Sequence, residues 1–296
     1  MKFYLTVNPH GGTKSGPEIL KKVKPLFDNS NIELNIIETM FKGHAKELAE
    51  QLDFSDYDGL ISIGGDGTLH EVVNGFMFRK DQNNFPIGII PGGSGNSFMR
   101  DLELTDPIEA ANAIINGNTK LIDVAKMKIN NITKYAINII GWGLVTDIAN
   151  KAEKYRWLGT NRYTILSVLE VFTYKPRLAK LIIDNETITD KFTFVIACNT
   201  IHTGKGMKMA PKAILDDGKI DIIVVKHKAS RFKMLSMLPT VFDGSHIKNP
   251  LVDYYKASSF SIIPELNEVL NIDGEIAGET PIDVTILPKK VKIYCK

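Results

Sequence analysis

Residues 59–75, GLISIGGDGTLHEVVNG, constrain the fold of this chain more than any other stretch. Residues 60–63 form a short apolar run that predicts a buried strand. Gly64, Gly65, Asp66 and Gly67 follow at once. Thr68 then reads as an N-cap, with Glu71 at the spacing of a capping box. Val72, Val73 and Phe76 carry the apolar face of the helix that follows. A strand, a glycine turn and a helix in this order let backbone approach a phosphate and aim N–H groups at it. Asp66 places a carboxylate inside the turn. Beside a phosphate that charge is costly unless a metal or a proton-transfer role offsets it. The plainer alternative is a tight turn in which Asp66 only caps.

The pattern recurs. Residues 2–7 predict a strand followed by Asn8-Pro9-His10-Gly11-Gly12-Thr13-Lys14-Ser15-Gly16, a loop able to wrap an anion. Its order of glycine, lysine and serine is not that of a Walker A motif. A helix is expected to about Phe27. Residues 32–39 predict a second strand that ends at Thr39, with a helix from His44 to about Leu52. Residues 85–90 predict a fourth, ending in Pro91-Gly92-Gly93-Ser94-Gly95-Asn96-Ser97. Strands alternating with helices imply a parallel sheet covered on both faces, with ligands at the carboxyl ends of its strands. Four such ends carry Gly, Ser, Thr, Asn or Asp, which points to nucleotide binding.

Beyond the helix at 106–117 the character changes. Residues 124–140 predict a hairpin turning at Asn130-Asn131. Strands are expected at 178–183, 191–198, 219–226, 258–263 and 269–272, with two more in 282–294. The reading is therefore α/β, with an N-terminal parallel-sheet nucleotide-binding domain at 1–122. The C-terminal strand 287–296 is a candidate to join it. A C-terminal β-rich domain follows at 123–286. Two helical segments interrupt that domain. Residues 151–180 hold seven basic residues against two acidic, and residues 226–250 hold five against one, both beside apolar side chains. Such segments suit an anionic membrane surface, and equally a core-facing helix with a solvated basic face. The chain's net charge of +2 gives no argument for nucleic acid. Two cysteines far apart fit a reducing, cytoplasmic setting, and no run is long enough for a spanning helix. The six histidines show no metal-ligand spacing.

In order along almost the whole chain stand Asn8-Pro9…Gly12, Thr39…His44-Ala45, Gly64-Gly65-Asp66-Gly67-Thr68…Asn74-Gly75, Pro91-Gly92-Gly93-Ser94-Gly95-Asn96, Asp216-Asp217-Gly218 and Asn271-Ile272-Asp273-Gly274-Glu275. This ordered set resembles the lipid kinases of the diacylglycerol kinase, sphingosine kinase and ceramide kinase group. The resemblance implies an α/β nucleotide domain plus a lipid-binding β-sandwich with a helical insertion. It also implies ATP with Mg²⁺ as cofactors, and γ-phosphoryl transfer to a lipid hydroxyl during peripheral contact with a membrane. A homodimer is compatible with it.

By the same resemblance, Asn8, Gly12, Thr39, Gly64, Gly65, Gly67, Thr68 and Ser94 line the nucleotide, and Arg156 and Arg162 reach its phosphates. Asp66 matches the base acting on the acceptor hydroxyl. Glu275 competes for that role and, with Asp273, lies near the phosphates. Asp217 resembles a structural Mg²⁺ ligand of bacterial members, with a plain turn aspartate as the alternative. Asp147 marks the head-group region, and Leu166, Leu169 and Phe172 match a helix over the lipid tail. One departure concerns the acceptor. Sphingosine kinases carry a second acid where this chain has Ala149, so a neutral head group such as ceramide or diacylglycerol fits better than a cationic amine. Two other classes stay open: an NAD kinase, which shares the GGDG turn, and a non-catalytic nucleotide-dependent membrane-binding module.

Overall fold

The computed structural model describes residues 1–296 apart from 10, 12, 13, 82, 83, 156–161, 205, 228 and 229, and apart from the side chains of 153 and 162–164. Two units can be distinguished. The first comprises Met1–Val124, Gly204–Gly206 and Pro288–Lys296, and the second Ala125–Thr203 and Met207–Leu287.

The first unit is built by β1 (Lys2–Val7), α1 (Gly16–Asn29), β2 (Glu33–Glu38), α2 (His44–Gln51), β3 (Gly59–Gly64), α3 (Asp66–Phe78), β4 (Ile87–Pro91), α4 (Ser97–Asp101) and α5 (Pro107–Asn116). The strands are parallel in the order β2-β1-β3-β4. The chain's last strand adds in parallel beside β4, with Ile293 opposite Ile87. Every residue of β3 is buried, Ser62 included, which is why it reads as a mainly apolar run rather than an alternation. Val23 and Phe27 of α1, Val72 and Val73 of α3, and Ala110 and Ile114 of α5 are buried. Gly75 lets α3 press on α2, because a Cβ there would lie 2.2 Å from the Lys46 carbonyl oxygen.

One local expectation fails here. Helix α3 starts at Asp66 with Gly65 as its N-cap, three residues before the predicted cap Thr68. Glu71 does not close a capping box. Its Oε1 accepts the Gly43 N–H at 2.9 Å, while Thr68 Oγ1 accepts from Asn8 Nδ2 at 3.4 Å. The spacing of a capping box is present, but both side chains are drawn to neighbouring loops.

The second unit takes up the end of β5 (Thr119–Ile129), followed by β6 (Ile132–Ala136), β7 (Ile139–Gly143), α6 (Leu144–Lys154), α7 (Arg162–Thr173), β8 (Arg177–Ile183), β9 (Glu186–Cys198), β10 (Ile220–Lys226), α8 (Arg231–Met237), β11 (Val252–Ala257), β12 (Ser259–Pro264), β13 (Val269–Ile272), β14 (Glu275–Glu279) and the first part of β15 (Ile282–Tyr294), whose end belongs to the first unit. Asn130 and Asn131 both have positive φ and turn the β5–β6 hairpin. Antiparallel pairing runs β14-β13-β7-β9-β8-β12-β15, and β10 pairs with both β9 and β11. Trp142, Phe192 and Phe260 fill one core, and Ile139, Ile196, Ile223 and Val225 another. The mixed α/β fold with a C-terminal β-sandwich is as expected. Details differ: residues 282–294 form one strand rather than two, and neither β11 nor β14 has a counterpart among the predicted strands.

Candidate active site

At the carboxyl ends of the parallel strands the predicted loops start level with one another. Thr39 N donates to Val7 O at 2.8 Å, Asn8 N to Ile63 O at 3.2 Å, and Gly92 N to Gly64 O at 2.8 Å. The loops after β3 and β4 then meet backbone to backbone. A Cβ on Gly65 would lie 2.9 Å from Gly93 Cα, and one on Gly93 would lie 2.5 Å from Gly65 Cα. Real Cβ atoms do not approach so closely, so both positions must be glycine for the two turns to form one wall. Asn96, in the left-handed region at φ 51°, closes the second turn. Its Oδ1 accepts from Gly93 N at 3.0 Å and its Nδ2 donates to Gly93 O at 2.9 Å. Ser94 is exposed at the tip of this loop.

Asp66 occupies the first position of α3 and reaches across to α4. Its Oδ2 accepts from Ser97 N at 3.0 Å and its Oδ1 from Phe98 N at 3.2 Å. One residue thus begins one helix and caps the next, in a place where helix N-termini favour negative charge. Each carboxylate oxygen carries two lone pairs, so capping fixes the orientation of Asp66 without exhausting its capacity to accept. Ser97 Oγ donates in turn to Gly204 O at 3.1 Å, within the same unit. His44 supports its own loop by accepting the Met40 N–H at 3.1 Å. Gly12 and Arg156 lie outside the described residues, as does the side chain of Arg162.

In the second unit, Asp273 and Gly274, both with positive φ, form the two-residue turn between β13 and β14 that presents Glu275. Asp273 was expected near the phosphates, but its carboxylate turns inward. It is 5% exposed and accepts the N–H groups of Ile137, Asn138 and Ile139 at 3.1, 2.8 and 3.0 Å. Asp147 is gripped by both its oxygens by Arg177 Nη2, at 3.0 and 2.8 Å, while Arg177 Nε donates to Glu268 at 2.6 Å. Burial works against the Arg177 charge, and Asp147 and Glu268 outweigh it, holding the guanidinium above its ordinary range. Of the three α7 side chains matched to a lipid tail, Leu166 is buried at 4% exposure, whereas Leu169 at 55% and Phe172 face outward. In the sequence Arg177 is only one of the seven basic residues of 151–180. Its role depends on a partner 30 residues away.

The expected Mg²⁺ at Asp217 can be tested against the donors present. Lys256 Nζ stands 2.7 Å from Asp217 Oδ2, and Lys219 N donates to Asp217 Oδ1 at 3.0 Å. Among the described residues no group of three or more His, Cys, Asp or Glu side chains is placed to hold a metal ion. A divalent ion at Asp217 Oδ2 would have to displace the Lys256 ammonium, so the surroundings of that oxygen do not fit one. Those of the Gly65–Gly93 wall do fit a nucleotide phosphate, since they offer backbone where a side chain cannot stand.

This architecture is that of a phosphate-handling α/β enzyme, and comparison with known proteins gives its class. The diacylglycerol kinase catalytic domain matches residues 2–127, and the YegS C-terminal NAD kinase beta sandwich-like domain matches residues 138–295. Sphingosine kinase 1 of Arabidopsis thaliana is 30% identical over 93% of this chain and 68% of its own length. A diacylglycerol kinase of Staphylococcus epidermidis is 32% identical over 95% of this chain and 89% of its own. A Bacillus anthracis protein solved as a candidate diacylglycerol kinase superposes with a TM-score of 0.80 at 27% identity, covering 100% of this chain and 97% of that one. An NAD kinase from Archaeoglobus fulgidus in complex with ATP, at 14% identity and a TM-score of 0.53, shares the fold. The chain belongs to the diacylglycerol kinase and sphingosine kinase family, and it is a lipid kinase.

Proposed function

We propose that this lipid kinase transfers the γ-phosphoryl group of ATP to a hydroxyl of a diacylglycerol-, ceramide- or sphingoid-type lipid at a membrane surface, with a neutral head group preferred. The observation that carries this reading is the wall made by Gly65 and Gly93, with Asp66 held beside it by Ser97 and Phe98. Bound ATP would supply the phosphoryl group, with Mg²⁺ neutralising its phosphates. The residues of the chain then have two tasks. The glycine turns, with Asn8, Thr39, Gly67, Thr68 and Ser94, seat the nucleotide by backbone and short side chains. Asp66, fixed in orientation, accepts the proton of the attacking hydroxyl, a contribution of about 10²–10⁴ in rate for a positioned base. Glu275 is the competing candidate for that proton, and Asp273 serves it by anchoring its turn.

The preference for a neutral head group is supported by Asp147, whose carboxylate is already satisfied by Arg177, and by the buried Ala149 two residues on. Membrane contact is supported by an exposed apolar face on α7 and α8. Phe232 is 77% exposed and meets the Phe172 ring edge to face, with exposed Arg231 and Lys233 on either side of it in the chain. Among the described residues no helix is long and apolar enough to cross a membrane.

Incubation with labelled ATP and either mixed lipid vesicles or NAD tests the reading. Label is expected in diacylglycerol, ceramide or sphingoid species, resolved by mass spectrometry; label found only in NADP overturns it.

A further inference from the structure

Strands β10 and β11 pair antiparallel with Asp221 directly opposite Lys256 and Ile223 opposite Tyr254. Residues opposite and two apart share one face of a sheet, so Asp221, Tyr254 and Lys256 converge. Tyr254 OH donates to Asp221 Oδ1 at 2.6 Å, and Lys256 Nζ lies 3.7 Å from Asp221 Oδ2. The same ammonium is 2.7 Å from Asp217 Oδ2. The Asp221 side chain is 1% exposed. A buried carboxylate without a positive or hydrogen-bonding partner is strongly destabilising. Burial pushes the Asp221 carboxyl above its usual range, against the pull of Tyr254 and Lys256. Burial also works against the Lys256 ammonium, and Asp217 and Asp221 outweigh it, holding that group above the ordinary lysine value.

We infer that Lys256 supplies, as a covalently fixed cation bridging Asp217 and Asp221, the positive charge that a structural divalent ion would otherwise bring to this corner. Mg²⁺ requires about six oxygens at about 2.0–2.1 Å in near-octahedral array. Here two carboxylate oxygens already meet an ammonium, and a second cation in that space would face its repulsion. The charge is built into β11, so it needs no metal, is not lost to a chelator and does not vary with ion supply. On the function proposed above, the divalent ion is then confined to the one that would accompany the nucleotide. This inference is independent of which lipid is phosphorylated.

The test is thermal unfolding of the nucleotide-free full chain in EDTA and in millimolar Mg²⁺. Wild-type protein is expected to unfold at the same temperature in both. Lys256→Met, which leaves Asp217 and Asp221 without their shared cation, is expected to lose several degrees in EDTA, and Lys256→Arg to recover most of that loss. A wild-type gain in Mg²⁺ that vanishes in Asp217→Asn overturns the inference, because it places the ion on Asp217. A Lys256→Met protein as stable as wild type in EDTA also overturns it. Should Lys256→Met fail to fold, the wild-type and Asp217→Asn comparison decides alone.

Discussion

Asp66 shows how much one side chain can be asked to do. It opens α3, caps α4 through Ser97 and Phe98, and stands at the glycine wall. These tasks separate under substitution. Asp66→Asn keeps one acceptor oxygen but turns an NH₂ group toward an amide donor, so one cap is lost at a cost of about 1 kcal/mol. As the proposed base it would also lose its proton-accepting charge. Turnover is expected to fall by about 10²–10⁴ while ATP affinity survives, with Glu275→Gln assayed alongside. The checks are steady-state phosphorylation and nucleotide titration by fluorescence. Equal loss of ATP binding would make Asp66 a structural residue; a deeper loss of turnover in Glu275→Gln would move the base to β14. The sequence located Asp66 because its turn is local. It could not reveal the capping partners, which lie 31 and 32 residues further on and become neighbours only when β3 and β4 pair.

At the scale of elements, legibility followed the reach of the forces involved. The four strand ends of the first unit were readable because glycine, proline and asparagine act on their own backbone, and the β5–β6 turn was readable for the same reason. Strand β11 was not. Its sequence VDYYKA alternates poorly, and most of its residues are half-buried, held by pairing to β10 rather than by an apolar face. Missing β11 also hid the partner of Asp217. Which of the α7 side chains matched to a lipid tail are covered and which face outward is not legible either, because periodicity gives the apolar positions of the helix but not which of them its own unit covers: Leu166 is buried, Leu169 and Phe172 are not. The β8–β9 turn offers a prediction of the same kind. Asp184, at φ 47°, accepts on Oδ1 from the N–H groups of Ser258 and Ser259 at 3.0 and 2.9 Å, and from both hydroxyls, pinning the β11–β12 corner. Burial raises its carboxyl, but the hydrogen bonds from Ser258 and Ser259 prevail and hold it below the usual carboxylate range. A depressed value in the folded state means stability that is present above the ordinary carboxylate range and lost as pH falls through the folded value. Asp184→Ala is therefore expected to lower the melting temperature at neutral pH by about 2–4 °C, the gap closing toward acid. A gap that stays constant with pH would show that the charge of Asp184 contributes nothing.

For the whole molecule, the near-neutral total conceals a strong asymmetry. The net charge is +2, yet residues 151–180 and 226–250 each carry a clear basic excess, so the remainder of the chain is net acidic. Both basic segments belong to the second unit, and both contain helices whose apolar side chains are exposed: Leu169 and Phe172 on α7, Phe232 on α8. A basic residue close to an anionic bilayer contributes about 1 kcal/mol, and burial of a phenylalanine about 1.5–3 kcal/mol. The two contributions respond differently to salt, since screening at about 0.15 M already confines exposed charges to about 8 Å while apolar insertion is not weakened. Binding to phosphatidylserine-containing vesicles, measured by co-sedimentation, is thus expected to fall steeply between low and physiological salt and to level off at a residual set by the apolar face. Phe232→Ser should lower that residual by about tenfold or more, as expected for one lost aromatic insertion, and leave the salt-sensitive part in place. Phosphorylation of a detergent-dispersed lipid should be unchanged, because Phe232 lies outside the proposed catalytic residues. If vesicle binding ignores both salt and Phe232→Ser, α7 and α8 do not form the membrane-facing surface, and their exposed side chains must be covered in some other way.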